Sequence, residues 1–201
     1  MLIVGISMQI ITYFITKDST LSLISGITGV VSVVCCSERK LSFYLWSFVQ
    51  LSTYAIICYH SGLYGKLIEN LFYFITMLIG IYIWKRNICC DNIIEVRSLN
   101  KKQLIKLLIV TVLLITAGTF VLNYIGGQHT LLDSSTAILG IIAQILMISR
   151  FKENWILWFI QDIICIILWI SVGNWCLVSQ YMFWALNTVY GYILWSNDKN
   201  T

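Results

Sequence analysis

Residues 149–162 read SRFKENWILWFIQD, and residues 37–50 read SERKLSFYLWSFVQ. At a shift of 112 positions Ser37 falls on Ser149, Lys40 on Lys152, Leu45 on Leu157, Trp46 on Trp158 and Gln50 on Asp162. Further along, GIYIW at Gly80–Trp84 matches GYILW at Gly191–Trp195, at a shift of 111. Chance matching between tryptophan-rich helices is the alternative, but it must produce two blocks in one order at nearly one shift. The reading is an internal duplication.

Composition says where the duplicated unit lives. Of 201 residues, 59% are hydrophobic and only 11% charged, which is more apolar surface than one water-soluble core of this size can hide. The lipid bilayer is the remaining solvent, and the chain reads as an all-α polytopic membrane protein. Leu2 to Ile15 has no basic segment before it and no small-residue cleavage site after it, so no removal of a leader is expected. The net charge of +4 forms no basic run of nucleic-acid type, so neither DNA nor RNA is an expected partner.

The seven cysteines include the adjacent pairs Cys35-Cys36 and Cys89-Cys90, with Cys58, Cys165 and Cys176 single. No C-x-x-C occurs, and His60 and His129 are far apart, so packing is the expected role and no metal or cofactor is expected.

Apolar runs of membrane length fall at about 20–36, 41–59, 65–84, 104–124, 132–149, 154–172 and 176–195. The stretch before Lys17 is short for a hydrocarbon core of about 30 Å. It is expected as an interfacial or partly inserted helix, with a true eighth span as the alternative. Lysine and arginine concentrate in alternate loops: Arg39 and Lys40; Lys85, Arg86, Arg97, Lys101 and Lys102; Arg150 and Lys152. The positive-inside rule puts these loops, and the C-terminus, in the cytoplasm.

Two three-helix units of equal orientation need one helix between them to bring the chain back. The expected architecture is therefore seven transmembrane helices in a 3+1+3 parallel-repeat, SWEET-like arrangement, plus the short N-terminal helix. Its segments are 1–19 (N-terminal helix), 20–84 (first repeat), 85–131 (loop and linker helix), 132–196 (second repeat) and 197–201 (tail). Transporters of this architecture hold a small-molecule substrate near the midplane where the repeats meet.

Asp162 is the ionisable residue about half-way along its span. Trp155, Trp158 and Asp162, spaced i, i+3, i+7, lie on one helix face within about 60°. At the 112-residue shift the corresponding face of the first repeat is Phe43, Trp46 and Gln50. A carboxylate at such depth faces a cavity or a partner, and a tryptophan a turn inside the membrane suits ring stacking better than the interfacial belt. Asn70 and Tyr73 share a stripe with Met77, Gly80 and Trp84, and Asn187 shares one with Trp184 and Gly191. For these amides, and for Gln144, helix–helix packing competes with ligand binding, whereas Gln161, turned about 60–100° away from the Asp162 face, reads as an interhelical hydrogen-bonding group. Glu69 and Asp133 read as rim residues, and Glu153 and Asn154 as first-turn residues of the sixth span. With no proline in the chain, Gly26, Gly29, Gly80, Gly140 and Gly191 are the hinge or close-packing candidates.

The block ENWILW followed by Asp162, the terminal NTVYGYILW and the earlier GIYIWKR resemble the PnuC-type vitamin transporters of the nicotinamide riboside family, over about Thr20 to Trp195. The resemblance implies import of nicotinamide riboside across a bacterial inner membrane by facilitated diffusion and alternating access. A cytosolic kinase then traps the substrate, and the assembly is a homotrimer. It implies a substrate site of Trp155, Trp158, Asp162, Trp46, Gln50, Asn70, Tyr73 and Asn187. Relatives of the same type carrying thiamine, riboflavin or deoxynucleosides leave the cargo open, and proton coupling through Asp162 is a variant of the same reading. An intramembrane enzyme is the alternative from another class. It lacks a second carboxylate at comparable depth, or a nucleophile and base on one face.

Overall fold

In the computed structural model the chain is described at residues 1–16, 19–60, 64–88, 93–124, 130–172 and 175–197. Cys89, Cys90 and His129 lie outside the described residues, as do the side chains of Cys58, Lys66, Asp133 and Cys176. Eight helices run through the described residues: α1 Leu2–Thr16, α2 Thr20–Ser37, α3 Ser42–His60, α4 Tyr64–Lys85, α5 Lys101–Tyr124, α6 Thr130–Ile148, α7 Asn154–Val172 and α8 Trp175–Ser196. The seven expected spans correspond to α2–α8, and the short N-terminal run is helical.

The sequence marks several of these ends chemically. Ser19 caps α2, its side chain accepting from the Ser22 N–H at 3.1 Å. At α5, Asn100 and Gln103 exchange bonds reciprocally: the Gln103 N–H donates to Asn100 Oδ1 and the Asn100 N–H to Gln103 Oε1, at 2.9 and 3.0 Å.

Two compact units result, Met1–Glu95 and Val96–Thr201. In the first, α1 packs on α2, α2 on α3 and α3 on α4; in the second, α5 packs on α6, α6 on α7 and α7 on α8. Each unit differs from a soluble domain in exposing large apolar side chains while burying polar ones beside its apolar core. Ser32 and Ser47, buried between α2 and α3, bond each other at 2.7 Å, and Ser25, Thr28, Asn70, Gln144, Asp162 and Asn187 are also buried. Large apolar side chains such as Ile105, Val112, Leu113 and Phe120 on α5 are exposed. That distribution suits lipid outside and polar contacts within. By length and composition, Thr20–Ser37, Lys101–Tyr124 and Thr130–Ile148 are long and apolar enough to cross a membrane.

Two helix ends repeat one backbone pattern at a single shift. Helix α2 ends with Arg39 N–H donating to Cys36 O and Lys40 N–H to Cys35 O; α6 ends with Arg150 N–H donating to Met147 O and Phe151 N–H to Leu146 O. Both ends are Schellman turns, and both put an arginine in the left-handed region, φ 60° at Arg39 and 68° at Arg150. Glycine is the usual occupant, and a side chain there costs about 1–2 kcal/mol. The same strain recurs 111 residues apart.

That register corrects the first block of the expected alignment. At 111, Trp155 corresponds to Tyr44, Gln161 to Gln50 and Asp162 to Leu51, rather than Asp162 to Gln50 and Trp158 to Trp46. Side-chain packing agrees: Tyr44 meets Trp84 edge-on with centroids 5.1 Å apart, and Trp155 meets Trp195 edge-on at 5.5 Å, both at 87°. Matching letters favoured 112, but one residue is about 100° of helix rotation, and hydrogen bonding sets which face is buried.

Candidate functional site

The expected site residues divide between the two units. Trp155, Trp158, Asp162 and Asn187 belong to the second, and Trp46, Gln50, Asn70 and Tyr73 to the first.

In the second unit the site is built from the start of α7. The turn leading into it is closed by Asn154, whose side-chain N–H donates to Phe151 O at 2.6 Å, and by the Trp155 N–H on Lys152 O at 3.2 Å. Trp155 follows at once, buried against the edge of Trp195. Its indole is lodged over Gly191: a Cβ at that glycine would lie 2.7 Å from Cε2 and Cζ2 of the ring. Gly191 is thus a close-packing glycine that makes room for an aromatic ring. Trp158, half-buried, packs against Leu139, Ile142, Ala143, Leu146 and Leu157.

One turn deeper, Asp162 is 2% exposed, and its Oδ2 has no hydrogen-bond partner among the described residues. Trp155 Nε1 and Gln161 Oε1 are also buried without one. Asn187 and Thr188 on α8 and Gln144 on α6 are buried polar residues on the helices flanking α7. A donor at Trp155 and acceptors at Gln161 and Asp162 are therefore desolvated and unspent. Each such atom costs about 1–3 kcal/mol or more unless something pairs with it.

The first unit is different in kind. Trp46 is 36% exposed. Gln50 is half-buried, its Cγ lying 3.3 Å from where a Cβ on Gly29 would stand. Asn70 is buried and donates its side-chain N–H to Leu51 O at 2.8 Å, joining α4 to α3. Tyr73 gives its hydroxyl to Glu69 Oε1 at 3.2 Å. The packing role left open for Asn70 is one its amide N–H fills.

Gln161 was expected to be an interhelical bonding group, yet its carbonyl oxygen is buried and unbonded beside Asp162. Its counterpart Gln50, at the 111-residue register, was the available signal for it.

These observations fit what the chain is similar to. A family model described as nicotinamide mononucleotide transporter matches residues 19–197. The nicotinamide riboside transporter PnuC of Haemophilus influenzae is 34% identical over 196 residues, covering 94% of this chain and 84% of that one. The protein of the same name from Neisseria mucosa is 29% identical over 207 residues, covering 97% of this chain and 79% of that one. Among solved structures, the crystal structure of the vitamin B3 transporter PnuC superimposes with a TM-score of 0.81 at 28% identity, covering 97% of this chain and 88% of that one. With large apolar side chains exposed on its helices, the match across nearly the whole sequence makes this chain a multi-pass membrane protein belonging to the nicotinamide mononucleotide transporter family.

Proposed function

We propose that this chain carries nicotinamide riboside across the bacterial inner membrane by facilitated diffusion and alternating access. The observation that carries the reading is the unspent Asp162 Oδ2, buried on the helix face that bears Trp155 and Trp158. A planar cationic ring is the ligand for which a carboxylate and indole faces are jointly favourable. The relatives named above as nicotinamide riboside transporters support that choice among planar cations. Trp46, Gln50, Asn70, Tyr73 and Asn187 are the remaining proposed contacts, and Gln161 joins them.

The riboside suits this site better than the phosphorylated mononucleotide of the family's description. A phosphate carries nearly two negative charges at neutral pH and wants arginine, lysine or a helix N-terminus. The buried polar groups that α7 carries from Trp155 to Asp162 are an indole, an amide and a carboxylate, and a phosphate beside Asp162 would meet like charge. Phosphorylation in the cytosol would then trap the product and make uptake one-way without a transport ATPase. The chain is a carrier in this reading, not an enzyme.

The same reading includes the 3+1+3 arrangement, with α2–α4 and α6–α8 as repeats and α5 as linker, a cytoplasmic C-terminus, and a homotrimer. The mirrored Schellman turns and aromatic pairs at the 111-residue register support the repeat. The experiment is calorimetric binding of purified protein against nicotinamide riboside, its mononucleotide, thiamine, riboflavin and deoxynucleosides. Nicotinamide riboside is expected to bind and the mononucleotide to bind far more weakly; preference for another cargo would replace this one.

A further inference from the structure

The loop that precedes α7 is fastened by a segment more than fifty residues earlier in the chain. Arg97 exchanges backbone bonds with the loop, its N–H donating to Arg150 O at 2.8 Å and its O accepting from the Lys152 N–H at 2.9 Å. Its guanidinium stands over the Phe151 ring, 4.6 Å from the centroid. Glu153 completes the attachment: one carboxylate oxygen, Oε1, accepts from both the Ser98 hydroxyl and the Leu99 N–H, each at 3.0 Å.

The first repeat shows what the turn itself requires. There the N–H of Ile94 donates to Arg39 O at 3.3 Å, the counterpart of the Arg97–Arg150 bond. The position equivalent to Glu153 is Ser42, so the same turn and the same helix start are built with no carboxylate at that position; the acid of that turn, Glu38, pairs with Lys40 instead. Glu153 is only 9% exposed. Burying a charged group is costly and is not needed to make the turn. What the carboxylate adds is a two-donor link between the start of α7 and the 97–99 segment.

That link stands two residues before Trp155. Because a helix moves as a rod, slippage at its first turn is transmitted along it: one residue is 1.5 Å of depth and about 100° of rotation. We propose that Glu153 is a positioning residue for the transport site. Its attachment to Ser98 and Leu99 sets the depth and rotation of the Trp155–Trp158–Asp162 face. The statement about cargo rests on the transport reading above; the statement about side-chain placement does not.

The test uses the full chain in detergent, labelled with fluorotryptophan, with the Trp155 and Trp158 fluorine resonances assigned from Trp155→Phe and Trp158→Phe. In ligand-free Glu153→Ala both resonances shift or broaden. In Glu153→Gln, whose side-chain oxygen can still accept both bonds, they return to the wild-type positions. Nicotinamide riboside binding follows the same order, about tenfold or more weaker in Glu153→Ala, as for loss of hydrogen bonds to a charged acceptor, and near wild type in Glu153→Gln. Should Glu153→Ala fail to fold, Ser98→Ala removes one donor and shifts the resonances in the same direction by less. Unmoved resonances in the folded alanine variants, or a glutamine variant as perturbed as the alanine one, would overturn the proposal. If the cargo reading alone is wrong, wild-type protein ignores nicotinamide riboside while the fluorine response stands.

Discussion

Replacing Gly191 with alanine separates a packing claim from ordinary helix propensity by the sign of its effect. On an open helix face Gly→Ala stabilises by about 0.5–1 kcal/mol, because the backbone has less freedom to lose. At Gly191 the new methyl would stand 2.7 Å from two indole carbons of Trp155 and 2.8 Å from a third. Ordinary carbon contact begins near 3.4 Å, so the ring must move by about 0.7 Å. Trp195 holds its other edge, at 5.5 Å between centroids, and Trp155 is 4% exposed. Overpacking of this kind costs about 1–3 kcal/mol. Set against the propensity gain, the net expected loss is centred on about 1 kcal/mol, or a melting point lower by roughly 2–4 °C for a chain of this length. Thermal unfolding in detergent can be followed with a thiol-reactive dye, since the Cys36 and Cys165 side chains are buried in the folded chain. In a Trp155→Leu background the obstructing carbons are gone, and Gly191→Ala should become neutral or stabilising. A rise in melting point for the single variant, or an equal fall in both backgrounds, would refute the assigned packing.

Asp162→Leu installs at the second repeat what Leu51 already is at the first, so the helix should accept it. Its melting point is expected at or above wild type, because a buried unspent carboxylate is removed, while nicotinamide riboside affinity falls at least about a hundredfold. Calorimetry of both proteins decides it, and a variant that binds as wild type would remove the carboxylate from the site. Asn70→Ala loses the bond to Leu51 O and should lower stability by about 0.5–1.5 kcal/mol in the same thermal assay. An unchanged melting point would mean that this link between α3 and α4 contributes nothing measurable.

Much of this was legible in the residues. Twenty-residue apolar runs separated by short polar loops placed α2–α8 to within a few residues, because a bilayer of fixed thickness imposes length. The i, i+3, i+7 spacing of Trp155, Trp158 and Asp162 put three side chains on one face because helical geometry does so wherever a helix forms. The register of the repeat was harder. Leu51, the true counterpart of Asp162, carries no signal in a membrane sequence full of leucine, and the lysine and tryptophan letters aligned one residue away. Hydrogen bonds at Arg39 and Arg150 were needed to resolve it. Long-range links were out of reach altogether. Glu153 reads as a first-turn acid, and nothing near it in sequence points to Ser98 and Leu99. Likewise Gly191 looked like a hinge or packing candidate of no particular partner, since its partner is Trp155, thirty-six residues earlier.

Uptake of labelled nicotinamide riboside into proteoliposomes, with no nucleotide triphosphate and no imposed ion gradient, tests the central claim most directly. Wild-type protein should give saturable uptake that stops when internal and external concentrations are equal, and Trp158→Ala should reduce it to the level of empty liposomes. Uptake by wild-type protein no faster than empty liposomes, or undiminished uptake by Trp158→Ala, would contradict it.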